Sequence, residues 1–285
     1  MAIRLLVALA ATTAATWLPN GRPGRVVDTH LRIRGGEAPP SGSTTRNALT
    51  RDEITEKLNA VPVFCIVNEK GGLIGTRSKD GKEAVCWFTD AAESKALLAV
   101  MREHNPDVDL RLGVYGLGTV FRLCKGWSDE ESPAMQSEST ERFAGELRLQ
   151  GNMPLMNETA PRLKEMLHDA GIDAGAWQLP VFLCEQLQSG SILPVFFSPV
   201  DLAATWEKSG RKKEEMPDEI AMMDLRILVA QMETDTNPWR IVQFVSSPQA
   251  YELVRELQGG AAAAPPAEDS ESDLEEEEMG ELYST

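Results

Sequence analysis

Val61-Pro-Val-Phe-Cys-Ile-Val67 is nearly restated later in the chain, as Leu179-Pro-Val-Phe-Leu-Cys184. Both runs are apolar almost throughout and rich in Val, Ile and Phe, the composition of a strand buried on both faces. Pro62 and Pro180 lack an N–H, so each belongs at the first residue of its strand. The residues after each copy also match. A glycine turn (Gly71-Gly72; Gly190) leads to a short apolar strand ending in Phe (Val85-Cys-Trp-Phe88; Leu193-Pro-Val-Phe-Phe197). A polar helix start and an amphipathic helix come next, and then Asp109-Leu-Arg-Leu112 in one copy and Asp224-Leu-Arg-Ile227 in the other. Pro62 and Asp109 are 47 positions apart, and Pro180 and Asp224 are 44 apart. A repeat of that length is a domain-sized duplication, since a solenoid needs three or more short units. The fold class read from this is α/β (α+β): two pseudo-symmetric lobes from an internal duplication, each a small mixed sheet with flanking helices.

Around the two strands the chain parses in order. Thr50-Arg-Asp-Glu53 is a capping box opening a helix with Ile54 and Leu58 on one face. Residues 84–88 return as a second strand, and Thr89–Glu93 starts a helix that turns Ala96, Leu97 and Val100 inward. Alternation over residues 108–115 predicts a third strand, resumed at Thr119–Leu123 after the Gly116-Leu-Gly118 break, and Phe143–Leu149 reads as another. Between them the polar stretch 128–141 reads as a mobile loop. Pro161–Ala170 reads as a helix with proline in its first turn and Gly171 as its stop. The second half predicts strands at 179–184, 192–197, 223–231 and 240–245, with helices at 199–208 and 248–257 and turns at 211–215 and Thr236–Pro238. The domain boundaries are then 1–49 (leader), 50–171 and 172–258 (the two lobes) and 259–285 (tail).

Charge is distributed unevenly. Residues 1–50 hold six arginines against Asp28 and Glu37, a balance of +4. Residues 259–285 hold nine acids and no base. Of the total of −16, that leaves −11 on residues 51–258. An acidic body excludes nonspecific binding to nucleic acid and to anionic lipid, both of which need clustered Lys and Arg.

Residues 2–16 read as a signal peptide, with one arginine, a short apolar run and small residues after it; the run is too short to span a bilayer. Trp17–Asn47 is rich in Arg, Ser, Thr, Gly and Pro and poor in acids, the composition of a disordered transit peptide. Small residues followed by an aromatic at Ala14-Ala15-Thr16-Trp17 resemble the bipartite presequence of algae with complex plastids. A plain secretory signal with a linker after it is the alternative reading. The tail, Ala/Pro and then acidic through Glu275–Glu278, reads as solvated and disordered.

The chain has none of the common catalytic patterns: no GxGxxG after a strand, no Walker A loop, no GxSxG and no HExxH. His104 and His168 fall at predicted helix ends and His30 in the leader. Cys65, Cys86, Cys124 and Cys184 include no CxxC pair, so neither zinc nor thioredoxin-type chemistry is indicated. They read either as small buried hydrophobes or, for Cys65 and Cys184, as a disulfide between the lobes. Asp109 with Arg111, and Asp224 with Arg226, read as strand pairs sharing a solvent face. Asn157-Glu-Thr159 is a glycosylation sequon by pattern only. The expectation is a protein without cofactor or metal that is not an enzyme. A plastid enzyme or a thiol-redox module with a site between the lobes is the alternative.

The doubled Pro-Val-Phe strands, Pro194-Val-Phe-Phe-Ser-Pro-Val-Asp-Leu202, the two Asp-Leu-Arg segments and Phe244-Val-Ser-Ser-Pro-Gln-Ala250 together resemble the twenty-two-kilodalton subunit family of the translocon at the inner chloroplast envelope. The resemblance runs from about Leu58 to Leu257. It implies a two-halved α/β protein with apolar grooves, working between the envelope membranes as a chaperone-like helper of protein import. Its partners would be unfolded preproteins, transit peptides and other translocon subunits, with at most peripheral membrane contact and no nucleic acid. Val63, Phe64, Val181 and Phe182 are the residues expected beneath the preprotein-binding groove. The acidic tail and the bipartite-looking leader depart from the family pattern.

Overall fold

Pro62 and Pro180 do open strands, β1 (Pro62–Asn68) and β6 (Pro180–Leu183). The computed structural model describes residues 48–77, 82–127, 129, 145–217, 220–234 and 239–261. The leader, most of the polar stretch 128–141, the turn at Thr236–Pro238 and the tail past residue 261 lie outside the described residues, and so do the readings made of them.

In the first half, α1 (Arg51–Asn59) begins at the capping box foreseen for Thr50 and Glu53. After it come β1, the two-residue β2 (Thr76–Arg77), β3 (Glu83–Phe88), α2 (Ala91–His104), β4 (Leu110–Gly116), α3 (Leu117–Leu123), β5 (Glu146–Gln150) and α4 (Met153–Asp169). The second half runs β6, β7 (Leu193–Phe196), α5 (Pro199–Lys208), β8 (Ala221–Asp224), α6 (Leu225–Met232), β9 (Val242–Val245) and α7 (Pro248–Ala261). β4-β1-β3-β5 and β8-β6-β7-β9 are the same arrangement. In each, the first two pairings are antiparallel and the last is parallel. Phe64 faces Phe88 across one ladder as Phe182 faces Phe196 across the other.

The register corrects one match made from the sequence. Pro62 lies opposite Gly116, and Pro180 lies opposite Asp224. The Leu117 N–H bonds the Val61 carbonyl at 2.9 Å, just as the Leu225 N–H bonds that of Leu179 at 2.9 Å. The counterpart of Asp224 is therefore Gly116, and the Asp-Leu-Arg at 109–111 occupies a different place. Asp224 caps α6 by accepting from the Arg226 N–H. Gly116 has no side chain to cap α3, and Asn59 supplies it from α1, its Oδ1 accepting from the Thr119 N–H at 2.9 Å. A Cβ at Gly116 would lie 2.4 Å from that oxygen.

Two stretches read as strands are helices. Leu117, Val120, Phe121 and Cys124 are buried at helical spacing, and so are Leu225, Leu228, Val229 and Met232. In runs this short and this apolar, a period of 3.6 and a buried strand look alike. α4 starts eight residues ahead of Pro161, at Met153, because the Asn152 side chain accepts from the Leu155 N–H and Pro154 occupies the first turn. Pro161 is interior to it.

The inner faces of the two sheets share one core. Val63, Cys65, Val85 and Trp87 pack there with Val181, Leu183, Val195 and residues of α1, α3 and α6. The outer faces are covered crosswise. α2 and α7 lie over the first sheet, with Ala250 and Leu253 among Phe64, Ile66 and Leu110. α4 and α5 lie over the second, with Leu163 and Trp206 among Phe182, Phe196 and Met222. Each half thus lends its last helix to the other half's sheet. The lobes share a core, and the tryptophans at 87, 127, 177, 206 and 239 are all buried.

The Asp224–Arg226 pair is not on a solvent face. Asp224 is fully buried and Arg226 nearly so. Asp224 accepts from Arg226 Nε at 3.0 Å and from the Leu179 N–H at 3.1 Å. The guanidinium donates to the carbonyls of Asp173, Ala174 and Trp177 and lies 4.5 Å from the centre of the Trp177 ring. This network pins the segment joining the two halves. Asp109 and Arg111, in contrast, pair at the surface. Arg226→Met strands a buried carboxylate, and urea unfolding should show a loss of about 3–5 kcal/mol, whereas Asp109→Asn should leave the midpoint unchanged.

Candidate functional site

Val63, Phe64 and Val181 are fully buried and Phe182 is 6% exposed. Strand alternation sends Val63 and Val181 into the central core and Phe64 and Phe182 under opposite helix layers. The structure brings Val63 and Val181 together as core residues. None of the four lines a surface groove.

The four cysteines are free, with Cys65 in the central core and Cys184 in the outer core of the second sheet. No disulfide joins the halves. Burial pushes every thiol up: Cys65 and Cys124 far above the ordinary range, Cys86 to about 11 with Arg148 pulling the other way, and Cys184 upward as well. A redox module needs a thiol with a lowered pKa, so burial removes the support for that reading. Among the described residues no group of three His, Cys, Asp or Glu side chains is placed to hold a metal. His104 Nδ1 lies 2.8 Å from the Val100 carbonyl at the end of α2, and His168 is exposed near the end of α4.

The surface carries a different site. A hollow of about 280 Å³ lies at β9, lined by Arg240, Ile241, Val242, Gln243 and Phe244 together with Lys57, Ala60, Ser191 and Ile192. A second hollow of about 420 Å³ adjoins it through Lys57 and Arg240 and reaches Leu49, Glu53 and Glu56. Lys57 Nζ donates to the Val242 carbonyl at 2.9 Å, and burial, reinforced by Arg240, lowers its pKa. Arg240 pairs with Glu53 at 3.1 Å and also donates to the Ala48 carbonyl. Ile192 is 46% exposed, and Tyr251, 43% exposed, donates its hydroxyl to the Ala60 carbonyl. The trough is shallow and part apolar, suited to an extended chain rather than to an enclosed small molecule.

A structure from Plasmodium falciparum, titled Tic22, superposes with a TM-score of 0.50 over 73% of this chain and 98% of that one, at 19% identity. The chain has the Tic22 fold. Anabaena Tic22, described as a protein of protein transport, aligns at a TM-score of 0.45 and 16% identity over 73% of this chain and 97% of its own. No protein-family model and no curated relative matches the sequence. The Tic22 likeness agrees with the resemblance drawn from the doubled Pro-Val-Phe strands.

The lining residues of the trough went unread in the sequence. Lys57 and Arg240 look like ordinary helix and turn charges, and only Ile192, a lone apolar residue beside Gly190 and Ser191, gives a local signal. The thiols supply the check on chemistry. Near pH 8, iodoacetamide should label native Cys65, Cys86 and Cys124 at least roughly 100-fold more slowly than free cysteine, and all four at the free rate once the chain is unfolded.

Proposed function

We propose that this protein is a plastid protein-import factor that works between the envelope membranes, as a non-enzymatic helper that holds imported chains in transit. The observation that carries the reading is the Tic22 fold, which spans nearly the whole of the Plasmodium structure. The transit-like composition of residues 17–47 agrees with a plastid address. No helix among the described residues is long and apolar enough to cross a membrane, in keeping with a protein met in the space between two of them. The net charge of −11 on residues 51–258 suits weak, salt-sensitive steering of basic transit peptides. Translocon subunits of the envelope are the partners this reading names.

Two measurements check it. A fluorescent protein fused to residues 1–50, and another fused to the full chain, should both decorate the plastid rim of an algal cell, with the full-length fusion in a protease-protected inter-membrane space. A labelled transit peptide should bind the full chain saturably and more weakly as salt rises. Secretion or cytosolic staining of the fusions would remove the plastid assignment.

A further inference from the structure

The geometry points to the open edge of β9 as a docking strand: an extended polypeptide with alternating apolar and basic side chains adds there as a further strand of the second sheet. This rests on the import-factor reading and gives it a site and a binding mode.

β9 is the last strand in the order β8-β6-β7-β9, so one of its edges has no strand beside it. Backbone groups along a ladder alternate between the paired and the open side. Val242 directs its carbonyl to the open side, where Lys57 meets it. Two residues on, Phe244 must direct its N–H and its carbonyl to that same side. Its side chain is buried in the central core and stacks with Phe197 at 6.2 Å between centroids, so the strand cannot turn those groups away. An edge of this kind templates an added strand unless something covers it. The hollow along Val242, Gln243 and Phe244 leaves room for a backbone there.

The walls select the occupant. Ile192 and Ile241 on the trough, and Tyr251 bonded to the Ala60 that lines it, offer apolar contact at the rim. Lys57 and Arg240 are engaged with Val242 and Glu53, while Glu56 is exposed and makes no ion pair among the described residues. A basic side chain on the occupant completes Glu56. The leader of this same chain shows what such a segment looks like: Val27-Asp-Thr-His-Leu-Arg-Ile-Arg34 alternates Val, Thr, Leu and Ile with Asp, His and two Arg.

The test uses the full chain and a fluorescein-labelled peptide of residues 25–36, read by anisotropy. Two modified peptides carry backbone N-methyl groups at Thr29, Leu31 and Ile33, or at His30, Arg32 and Arg34. Strand addition engages only one edge of the peptide. One methylated set should therefore lose at least about tenfold in affinity and the other about twofold or less. Ile192→Ser and Glu56→Lys, both at exposed positions, should each weaken the unmodified peptide several-fold without moving the unfolding midpoint. Equal binding by both methylated peptides, or unchanged binding by both variants, overturns strand addition at β9 and leaves the import reading standing. No binding of the unmodified peptide, nor of any transit peptide, overturns both.

Discussion

β1 and β6 are apolar on both faces, and that constraint organises the molecule. A strand with Val63 and Cys65 on one side and Phe64 and Ile66 on the other cannot leave either side in water; burying such side chains is worth about 1.5–3 kcal/mol each. Each sheet therefore needs two covers. The sheets cover one another on their inner faces, and two helices cover each outer face. The chain meets the second demand by passing α4 to the second sheet and α7 to the first. Close approach elsewhere results from the same packing: a Cβ at Gly118 would sit 2.1 Å from the Thr55 carbonyl, so α3 lies against α1 with no room for a side chain between them.

The buried ion pair has a place in this scheme. Crossing from one sheet to the other takes the chain through residues 170–178, a segment exposed for most of its length that turns inward at Trp177 and Gln178. Arg226 supplies donors to three carbonyls of this segment, and Asp224 balances its charge from the start of α6. Buried charges of this sort contribute little net stability when paired but are costly when one partner is lost. The pair is therefore better understood as fixing the path of the connection than as strengthening the fold.

Much of this was legible in the sequence. The α/β class, the strand starts at Pro62 and Pro180, the capping box at Thr50 and the start of α5 at Pro199 all rest on local chemistry, and the structure holds each of them. What failed was decided by distant contacts. Asp109-Leu-Arg and Asp224-Leu-Arg share letters, but the strand register alone shows that one flanks the start of β4 and the other ends β8. The Leu/Val-rich run at 225–232 is helical because its spacing faces a core built by both sheets. The trough along β9 was invisible because it is made by the meeting of α1, the loop before β7 and the strand edge, three segments far apart in the chain. Val63, Phe64, Val181 and Phe182, the residues expected beneath a preprotein-binding groove, lie in the cores on either side of the two sheets.

The crosswise helices also govern when the chain can finish folding. α7 is the last described element, and its Ala250 and Leu253 supply part of the cover over the outer face of β1, laid down near residue 64. A chain made from its N-terminus has only α2 over that face until residues 248–261 are in place. The cover of the first sheet is thus completed only by the end of the second half.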